Sequence, residues 1–284
     1  MGLAGVAAVA LSRALALLDL DGDGALDIAV GTEAGAATRL FIQASATRFE
    51  PAGTLGDLGE ARALLAGNFD GIDGQDLVVV NAAGGHALYV NNGSGQFVLA
   101  PQPLTGDQGL AAQVADLDED GADDFVIVNA DATPTAYFNE GMEGFFATAL
   151  EPTGAVSVGL GDLDGDGRPE PVFGQPDGDV FQPTIGRRSF GARLALPTAG
   201  VTQWVGADLD GDEDQDLVAA RPELAGDDRR APELRVLRSQ PRNVVELGAR
   251  ADYGLSRHLA AGDLGNRAQV RPRRHRKRRA RPAG

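Results

Sequence analysis

The amino-acid sequence predicts an all-β fold, a β-propeller of four-stranded blades with about five complete blades and a partial sixth. Three observations support this prediction: an acidic segment that recurs at a regular spacing, the β-branched runs that follow it, and an unusual composition. The chain of 284 residues contains 39 glycines, and only 5% of its residues are aromatic. This composition favours many short strands joined by tight turns.

The repeat is visible as five segments that align without gaps, starting at Asp19, Asn68, Asp116, Asp162 and Asp208. A sixth begins in the same way around Asp263 and then breaks off. One unit takes nearly fifty residues, which is the length of a propeller blade. A run such as DLVVV follows each acidic segment, and a second apolar stretch ends in a turn such as NNGSG, so we predict four strands per unit. A phenylalanine recurs after that turn and is predicted to lie in the core, at Phe49, Phe97, Phe145 and Phe190.

The two ends of the chain differ from the repeats. We predict a propeller domain over residues 1–266 and a basic, disordered tail over residues 267–284. Five blades and a fragment do not close a six- or seven-bladed ring, so we expect an incomplete ring and a chain that is itself a fragment. We interpret the tail as a frameshifted blade, with a nucleic-acid or nuclear-targeting patch as the alternative. The apolar start lacks a basic n-region, so residues 13–18 are predicted to form the first strand, and a signal peptide is the alternative.

Charge and composition exclude several classes of function. The net charge is -16, although nine of the 25 basic residues lie in the tail, which leaves 16 against 41 acidic residues elsewhere. The strong negative charge of the chain outside the tail argues against nucleic acid or an anionic membrane as a partner. No apolar run is long enough to span a membrane. Cysteine is absent, so disulfides and thiolate chemistry are excluded.

The acidic segment has the pattern DxDxDGxxD, with carboxylates at positions 1, 3, 5 and 9 and a backbone carbonyl available at position 7. Such a set of oxygens suits calcium, which takes six to eight oxygen ligands. The candidate ligands of the first and third loops are Asp19, Asp21, Asp23, Ala25 and Asp27, and Asp116, Asp118, Asp120, Ala122 and Asp124. Those of the fourth and fifth are Asp162, Asp164, Asp166, Arg168 and Glu170, and Asp208, Asp210, Asp212, Asp214 and Asp216. Glycine at position 6 is predicted to adopt a positive φ, at Gly24, Gly121 and Gly167.

The second loop departs from the pattern, and its candidate ligands are Asn68, Asp70 and Asp76. Asn68 replaces the first carboxylate and Ile72 the third, so we expect weak binding or none. The sequence therefore predicts about four calcium sites and a fifth that is weak or absent. EF-hands are excluded because position 12 is never glutamate and β-branched runs flank the loops. A surface Asx-turn is the alternative for any single loop.

These loops and their spacing resemble the FG-GAP/VCBS repeats of integrin α-chain heads and of many secreted bacterial proteins, over nearly the whole chain. The resemblance implies that each loop joins the first and second strands of a blade and holds calcium on one face of the propeller. It also implies an adhesion or binding module with an extracellular protein or glycan as its unknown partner. Scarce cytosolic calcium favours the same location, either secreted, at the cell surface or in the periplasm.

No catalytic constellation is visible in the sequence. None of the three histidines, His86, His258 and His275, has a partner suggested by spacing, and a structural role is favoured for each. Nucleophile, phosphate-loop and zinc-protease motifs are absent. We therefore expect a calcium-binding extracellular module that is not an enzyme, without catalytic or other cofactor-binding residues. The alternatives are a polysaccharide lyase or hydrolase on the same scaffold, and a purely structural stalk module.

Overall fold

The computed structural model describes residues 12–56, 59–72, 74–101, 104–106, 108–130, 132–196, 198–207, 216–221, 233–238 and 245–249. Within these ranges the regular structure is β, apart from one 3₁₀ turn at Gly141–Glu143. In this described part, no helix has the length and apolar character needed to cross a membrane. The fifth acidic loop from Asp208 to position 8, the sixth motif and the basic tail lie outside these ranges.

Five four-stranded antiparallel sheets follow one another along the chain, which confirms the predicted all-β propeller blades. The first sheet contains β1 to β4, at Ala14–Leu18, Asp27–Gly31, Arg39–Ser45 and Arg48–Thr54. The second contains β5 to β8, at Ala61–Gly67, Asp76–Asn81, Ala87–Asn91 and Phe97–Leu99. The third contains β9 to β12, at Gly109–Ala115, Asp124–Asn129, Thr135–Asn139 and Phe145–Ala149.

The fourth sheet carries an additional hairpin between its third and fourth strands. Its strands are β13, β14, β15 and β18, at Ser157–Gly161, Glu170–Gly174, Val180–Phe181 and Leu194–Ala195. The hairpin consists of β16 and β17, at Thr184–Gly186 and Ser189–Phe190. The fifth sheet contains β19 to β22, at Gln203–Ala207, Asp216–Arg221, Glu233–Arg238 and Val245–Ala249.

Every acidic loop joins the first two strands of its sheet in the same register. The residue before position 1 pairs with position 9 in all five sheets, as Leu18 with Asp27, Gly67 with Asp76, Ala115 with Asp124, Gly161 with Glu170 and Ala207 with Asp216. The first strands of successive sheets pack side by side, β1 on β5, β5 on β9, β9 on β13 and β13 on β19. The loops therefore emerge at corresponding edges of an open series of blades.

Apolar residues between successive blades form the core. Four clusters of buried side chains each join one blade to the next. The strands β6, β10 and β14 are buried along their whole length, because a second strand that lies between two neighbours has both faces covered. In β1 the pattern alternates instead: Leu18 is buried against the second blade, while Leu15 and Leu17 are 66% and 61% exposed.

The recurring phenylalanines divide into two groups. Phe97, Phe145 and Phe190 are partly buried against three of the core clusters, as predicted. For Phe49 the prediction is wrong, because its side chain is 40% exposed on β4, the outermost strand of the first blade. Phe97, Phe145 and Phe190 each pack into the cluster that joins their blade to the preceding one, whereas Phe49 belongs to the first blade and has no preceding blade among the described residues.

The contact between the fourth and fifth blades leaves no room for a side chain at Gly174. A Cβ atom there would lie 1.9 Å from the carbonyl oxygen of Val201 and 2.2 Å from Ser157 Oγ. Ser157 Oγ donates a hydrogen bond to that same carbonyl at 2.6 Å, and Trp204 Nε1 donates to Ser157 Oγ at 3.1 Å. Glycine therefore permits the polar contact that joins the two blades.

We expect Gly174→Ala to lower the free energy of unfolding by about 2–3 kcal/mol, because the added methyl group must push the two blades apart. Urea unfolding followed by circular dichroism measures the loss. Gly186→Ala is the matched control, since no atom lies within 4 Å of a Cβ at that position. Equal stability of the two variants would contradict the packing described for this contact.

Candidate metal centres

In the first, third and fourth loops, the carboxylate at position 1 accepts hydrogen bonds from backbone N–H groups of its own loop. In the first loop, Asp19 accepts hydrogen bonds from the N–H groups of Gly22 at 2.8 Å and Gly24 at 2.9 Å. Asp116 and Asp162 accept corresponding bonds from the backbone of their own loops. The predicted positive φ at position 6 is confirmed, with +85°, +85° and +92° at Gly24, Gly121 and Gly167.

The carboxylate at position 5 accepts the backbone N–H of position 7 in the same loop. One carboxylate oxygen of Asp23 accepts the N–H of Ala25 at 2.8 Å, and Asp120 and Asp166 accept the N–H of position 7 in their loops at 2.9 Å. Each of these residues keeps a second carboxylate oxygen. Direct ligation by position 5, and by the position 7 carbonyls of Ala25, Ala122 and Arg168, stays a prediction.

The carboxylate at position 9 is buried and connects three parts of its blade. Asp124 accepts the N–H of Leu117, at position 2 of the loop, at 2.9 Å and the N–H of Asn139, at the end of the third strand, at 2.7 Å. Asp27 and Asp76 likewise accept one N–H from position 2 and one from the third strand. Glu170 accepts the N–H of Leu163 at position 2 and, at 3.4 Å, that of Thr184 at the start of β16. This contact is a function of position 9 that the sequence pattern did not reveal.

Three loops bring their carboxylates at positions 1, 3 and 9 together. In each, one oxygen from every carboxylate lies within 4.8 Å of the other two, in the sets Asp19, Asp21 and Asp27; Asp116, Asp118 and Asp124; and Asp162, Asp164 and Glu170. Three convergent anionic oxygens repel one another unless a cation or protons lie among them. Carboxylate oxygens at this separation are donors that suit a hard divalent cation such as calcium.

A separate observation concerns position 3. The Oδ1 atoms of Asp118 and Asp164 are buried, and neither has a hydrogen-bond partner in the described residues. Buried polar atoms are nearly always paired with protein, water or an ion, because an unpaired one costs free energy. Both atoms belong to the carboxylate clusters, so a bound cation would satisfy them. The residues present thus fit a calcium ion in the third and fourth loops.

Burial changes the acidity of these carboxyl groups. It raises the pKa of Asp124 to about 7, with further contributions from the charges of Asp118 and Asp120 and opposition from the two backbone N–H groups. It likewise raises the pKa of Glu170 to about 8 and that of Asp76 to about 6. For Asp164, burial and the charges of its acidic neighbours also raise the pKa. The anionic form of each group is therefore less favourable than it would be in water.

The second loop keeps the fold of the others without their cluster. Asn68 Oδ1 accepts the N–H of Gly71, and Asp70 accepts that of Ile72, both at 2.8 Å. No set of three clustered acidic groups includes the described residues of this loop. Its weak or absent calcium binding stays a prediction. In the fifth loop, Asp216 is buried at the start of β20, while Asp208, Asp210, Asp212 and Asp214 lie outside the described residues.

Position 2 of the loop is a structural anchor that the acidic pattern did not indicate. Its side chain is almost completely buried in four loops, as Leu20, Phe69, Leu117 and Leu163. Because its N–H also binds the carboxylate at position 9, this residue fixes the loop to the core from both its backbone and its side chain. An apolar residue between two acids is the signal that predicts it.

His86 makes structural contacts just before β7. Its Nδ1 accepts the N–H of Asn81 at 3.2 Å, and its Nε2 lies 2.7 Å from Asn129 Oδ1 in the next blade. The structural role favoured from the sequence agrees with these bonds. His258 and His275 lie outside the described residues.

We expect Asp76→Asn to lower the free energy of unfolding by about 2 kcal/mol, in calcium and in chelator alike. Both oxygens of Asp76 accept backbone N–H groups, from Phe69 at 2.7 Å and Asn91 at 2.8 Å, and an amide leaves one of these donors unpaired. Asp70→Asn is the control, because its single bond to Ile72 needs only one oxygen. A loss seen in calcium alone would mean instead that Asp76 acts chiefly as a metal ligand.

In chelator, we expect the melting temperature to fall as the pH rises from 5 to 8. A carboxyl group whose pKa is raised in the folded state stabilises the fold most below its unfolded pKa near 4, and that contribution is lost as the pH passes through the folded value. For Asp124 and Glu170 the stabilising contribution is lost as the pH rises through their folded-state pKa values of about 7 and 8. Saturating calcium should reduce the fall, because the cation favours the anionic form.

Differential scanning fluorimetry at a series of pH values measures this dependence. Asp124→Asn removes one titrating group and should flatten the curve in chelator. A melting temperature that instead rises between pH 5 and 8 in chelator would contradict the assignment of buried, protonated carboxyl groups.

Two solved structures share the fold at low sequence identity. A lectin from Agrocybe aegerita, described as recognising non-reducing terminal N-acetylglucosamine, matches with a TM-score of 0.55 and 15% identity over 82% of this chain and 64% of its own. The Vibrio cholerae biofilm matrix protein Bap1 matches with a TM-score of 0.50 and 20% identity over 84% of this chain and 40% of its own. The chain thus spans less than two thirds of either structure. No curated protein matches it by sequence.

The family comparison agrees with the geometry of the loops. The FG-GAP-like repeat matches the chain twice in tandem, at residues 68–127 and 116–173. These two matches cover the second, third and fourth acidic loops, each of which connects the first and second strands of a blade. Residues 68–173 therefore consist of FG-GAP-like repeats, which form blades of a β-propeller fold.

Proposed function

We propose that this chain is an extracellular, calcium-stabilised binding module and that it has no catalytic activity. The observation that carries the proposal is the convergence of three carboxylates within 4.8 Å in each of three loops. The buried, unpaired oxygens of Asp118 and Asp164 support it, because a cation among the carboxylates gives both atoms a partner.

Calcium is the cation that this donor set favours. All the side-chain donors are oxygens, and the loops leave backbone carbonyls and solvent to complete a large, irregular coordination shell. Magnesium requires a tighter octahedron and keeps most of its own waters. The ion would be bound by Asp116, Asp118 and Asp124 in the third loop and by the corresponding residues in the first and fourth. The ion would offset the repulsion among the carboxylates and would thereby stabilise the folded chain.

The same argument supports an extracellular location. Calcium sites of extracellular modules typically have a Kd of about 10⁻⁴–10⁻³ M, well above the calcium concentrations of the cytosol. Sites of this class are filled only outside the cytoplasm. We therefore propose that the protein acts when secreted, at the cell surface or in the periplasm.

Glycans are the first class of ligand to consider. The Agrocybe aegerita lectin is described by its recognition of terminal N-acetylglucosamine, and Bap1 belongs to a biofilm matrix. These two proteins share only the fold with the present chain, so they suggest which ligands to screen and do not identify one. An extracellular protein ligand is the other candidate.

We expect millimolar calcium to raise the melting temperature of the full-length chain by about 10 °C over its value in chelator. Calcium at tenfold above its Kd contributes about 1.4 kcal/mol for each of three sites, and each kcal/mol shifts the midpoint by about 2–4 °C at this size. The variants Asp118→Asn and Asp164→Asn should each lose about a third of the shift. Scanning calorimetry in the two buffers measures it.

Asp177→Asn is the matched control, because this exposed acid of the fourth blade lies outside the loops. Identical melting of the wild-type chain in calcium and in chelator would show that the acidic loops are surface turns only. A glycan array and pull-down in calcium then address the ligand. Shortening of a polysaccharide substrate would favour the lyase or hydrolase alternative, whereas a screen without any ligand would favour a structural stalk.

A further inference from the structure

Neutral hydrogen bonds attach the first acidic loop to the blade that follows it. Gln75, at position 8 of the second loop, accepts the N–H of Asp19 through Oε1 at 2.8 Å. Asn91, at the end of β7, donates through Nδ2 to the carbonyl oxygen of Leu20 at 2.9 Å. The start of the first loop is thus fixed by two side chains of the second blade.

The second loop is attached to the third blade in the same way. Asp123, at position 8 of the third loop, accepts the N–H of Asn68 at 3.0 Å. Asn139, at the end of β11, donates to the carbonyl oxygen of Asn68 at 2.9 Å. The same two positions, one in the loop and one at the end of the third strand, serve both contacts.

The fourth blade lacks both of these residues. Position 8 of its loop is Pro169, and the residue whose N–H binds the carboxylate at position 9 is Thr184 instead of asparagine. The hydroxyl of Thr184 donates to the carbonyl oxygen of Pro169, within its own blade, at 3.0 Å. Neither side chain extends to the third loop, so that loop must be attached by other contacts.

Three arginines of the fourth blade make those contacts. Arg168 Nε donates to Glu119 of the third loop at 3.0 Å, and two arginines of the additional hairpin bind other carboxylates of that loop. Arg187 and Arg188 form the turn between β16 and β17, and their Nε atoms lie 3.2 Å and 2.6 Å from Asp118 Oδ2. Arg187 Nη2 also lies 3.1 Å from Asp120 Oδ2. Both residues therefore place positive charge on carboxylates of the third loop, one of which belongs to the cluster of positions 1, 3 and 9.

Arg188 is held firmly in this position. Its guanidinium lies 5.6 Å from the centre of the Phe138 ring and 5.8 Å from that of Phe146, and it also forms an ion pair with Glu140. Its side chain is 23% exposed, whereas that of Arg187 is 62% exposed. Guanidinium over an aromatic ring is a favourable arrangement, so Arg188 keeps its charge beside Asp118.

The other two clusters differ in this respect. In the first and fourth loops, none of the clustered carboxylates forms an ion pair with an arginine of the described residues. Arg168 pairs with Asp166 and Glu119, and its charge acts on Asp164 only at a greater distance. Asp118 uses Oδ2 for the arginines and keeps its buried Oδ1 without a partner. A calcium ion and the arginines would thus use different oxygens of this one carboxylate.

We propose that Arg187 and Arg188 determine the calcium affinity of the third loop and make it the weakest of the three clustered sites. This inference rests on the proposed calcium binding. Two fixed cations on a ligand carboxylate repel a divalent ion at short range, where solvent screens charges poorly. The same cations neutralise the loop in the absence of calcium, so the contact between the third and fourth blades depends less on the ion.

The test is calcium titration calorimetry of the full-length chain and of Arg187→Gln/Arg188→Gln. We expect the weakest class of sites in the wild-type chain to tighten by about tenfold in the double variant, because the repulsion is removed. In chelator, the double variant should melt at a lower temperature than wild type, because the loop has lost its compensating charge. Arg187→Gln alone leaves the packing of Arg188 intact and should tighten the same sites by about threefold.

Asp118→Asn assigns the effect to the third loop, since in that background the arginine substitutions should no longer change calcium binding. Arg193→Gln, at an exposed arginine of the same blade, is the control for net charge. Unchanged or weaker calcium affinity in the double variant, with calcium still bound by wild type, would overturn the inference and leave the proposed function intact. An absence of calcium uptake by every variant would overturn both.

Discussion

In the four repeats whose loops are described, the carboxylate at the start of the second strand accepts one N–H from position 2 of the acidic loop. It accepts a second N–H from the third strand or, in the fourth blade, from Thr184 at the start of the additional hairpin. The remaining features of the loop depend on this pair of bonds. They fix the loop against the sheet, direct the apolar side chain of position 2 into the core between blades, and hold position 9 within reach of positions 1 and 3. Only a group with two acceptor oxygens on one carbon can join two backbone donors in this way.

Burying the carboxylate of position 9 costs free energy, and the loops differ in how they offset this cost. In the first, third and fourth loops two further carboxylates approach it, and the pKa values of Asp124 and Glu170 rise to about 7 and 8 because burial disfavours their charge. A divalent cation offsets such repulsion, whereas in the second loop an asparagine and an isoleucine replace two of the acids. The second blade nevertheless keeps its four strands and its two bonds to Asp76. The fold of a blade therefore requires the carboxylate at position 9 but not the complete cluster.

The sequence predicted the features that depend on spacing and failed where a contact crosses from one blade to another. The period of the acidic segment predicted the blades, and glycine at position 6 predicted the positive φ, because both are local consequences of the chain. The bonds of Asp76 and Asp124 were not predicted, since the N–H of the third strand lies fifteen residues away and the pattern alone suggests only a ligand. Phe49 was assigned to the core wrongly, because recurrence in the sequence does not show that the first blade has no preceding blade among the described residues to cover this side chain. Arg187 and Arg188 belong to a hairpin that the described residues show in the fourth blade alone, so no repeat could indicate them.

The loops consequently differ in how their negative charge is compensated, although their backbones are alike. The second loop reduces its charge by substitution, the third pairs Asp118 with Arg187 and Arg188, and the first and fourth keep clustered carboxylates without such a partner. Under the proposal, a fall in calcium empties the third loop first, yet the arginines still attach it to the fourth blade. In the first and fourth loops no clustered carboxylate forms such an ion pair among the described residues, so these loops depend more on calcium or on protonation to relieve their repulsion. Calcium dependence is then a property of individual blades, set by the residues around each loop, and the shared acidic pattern alone does not determine it.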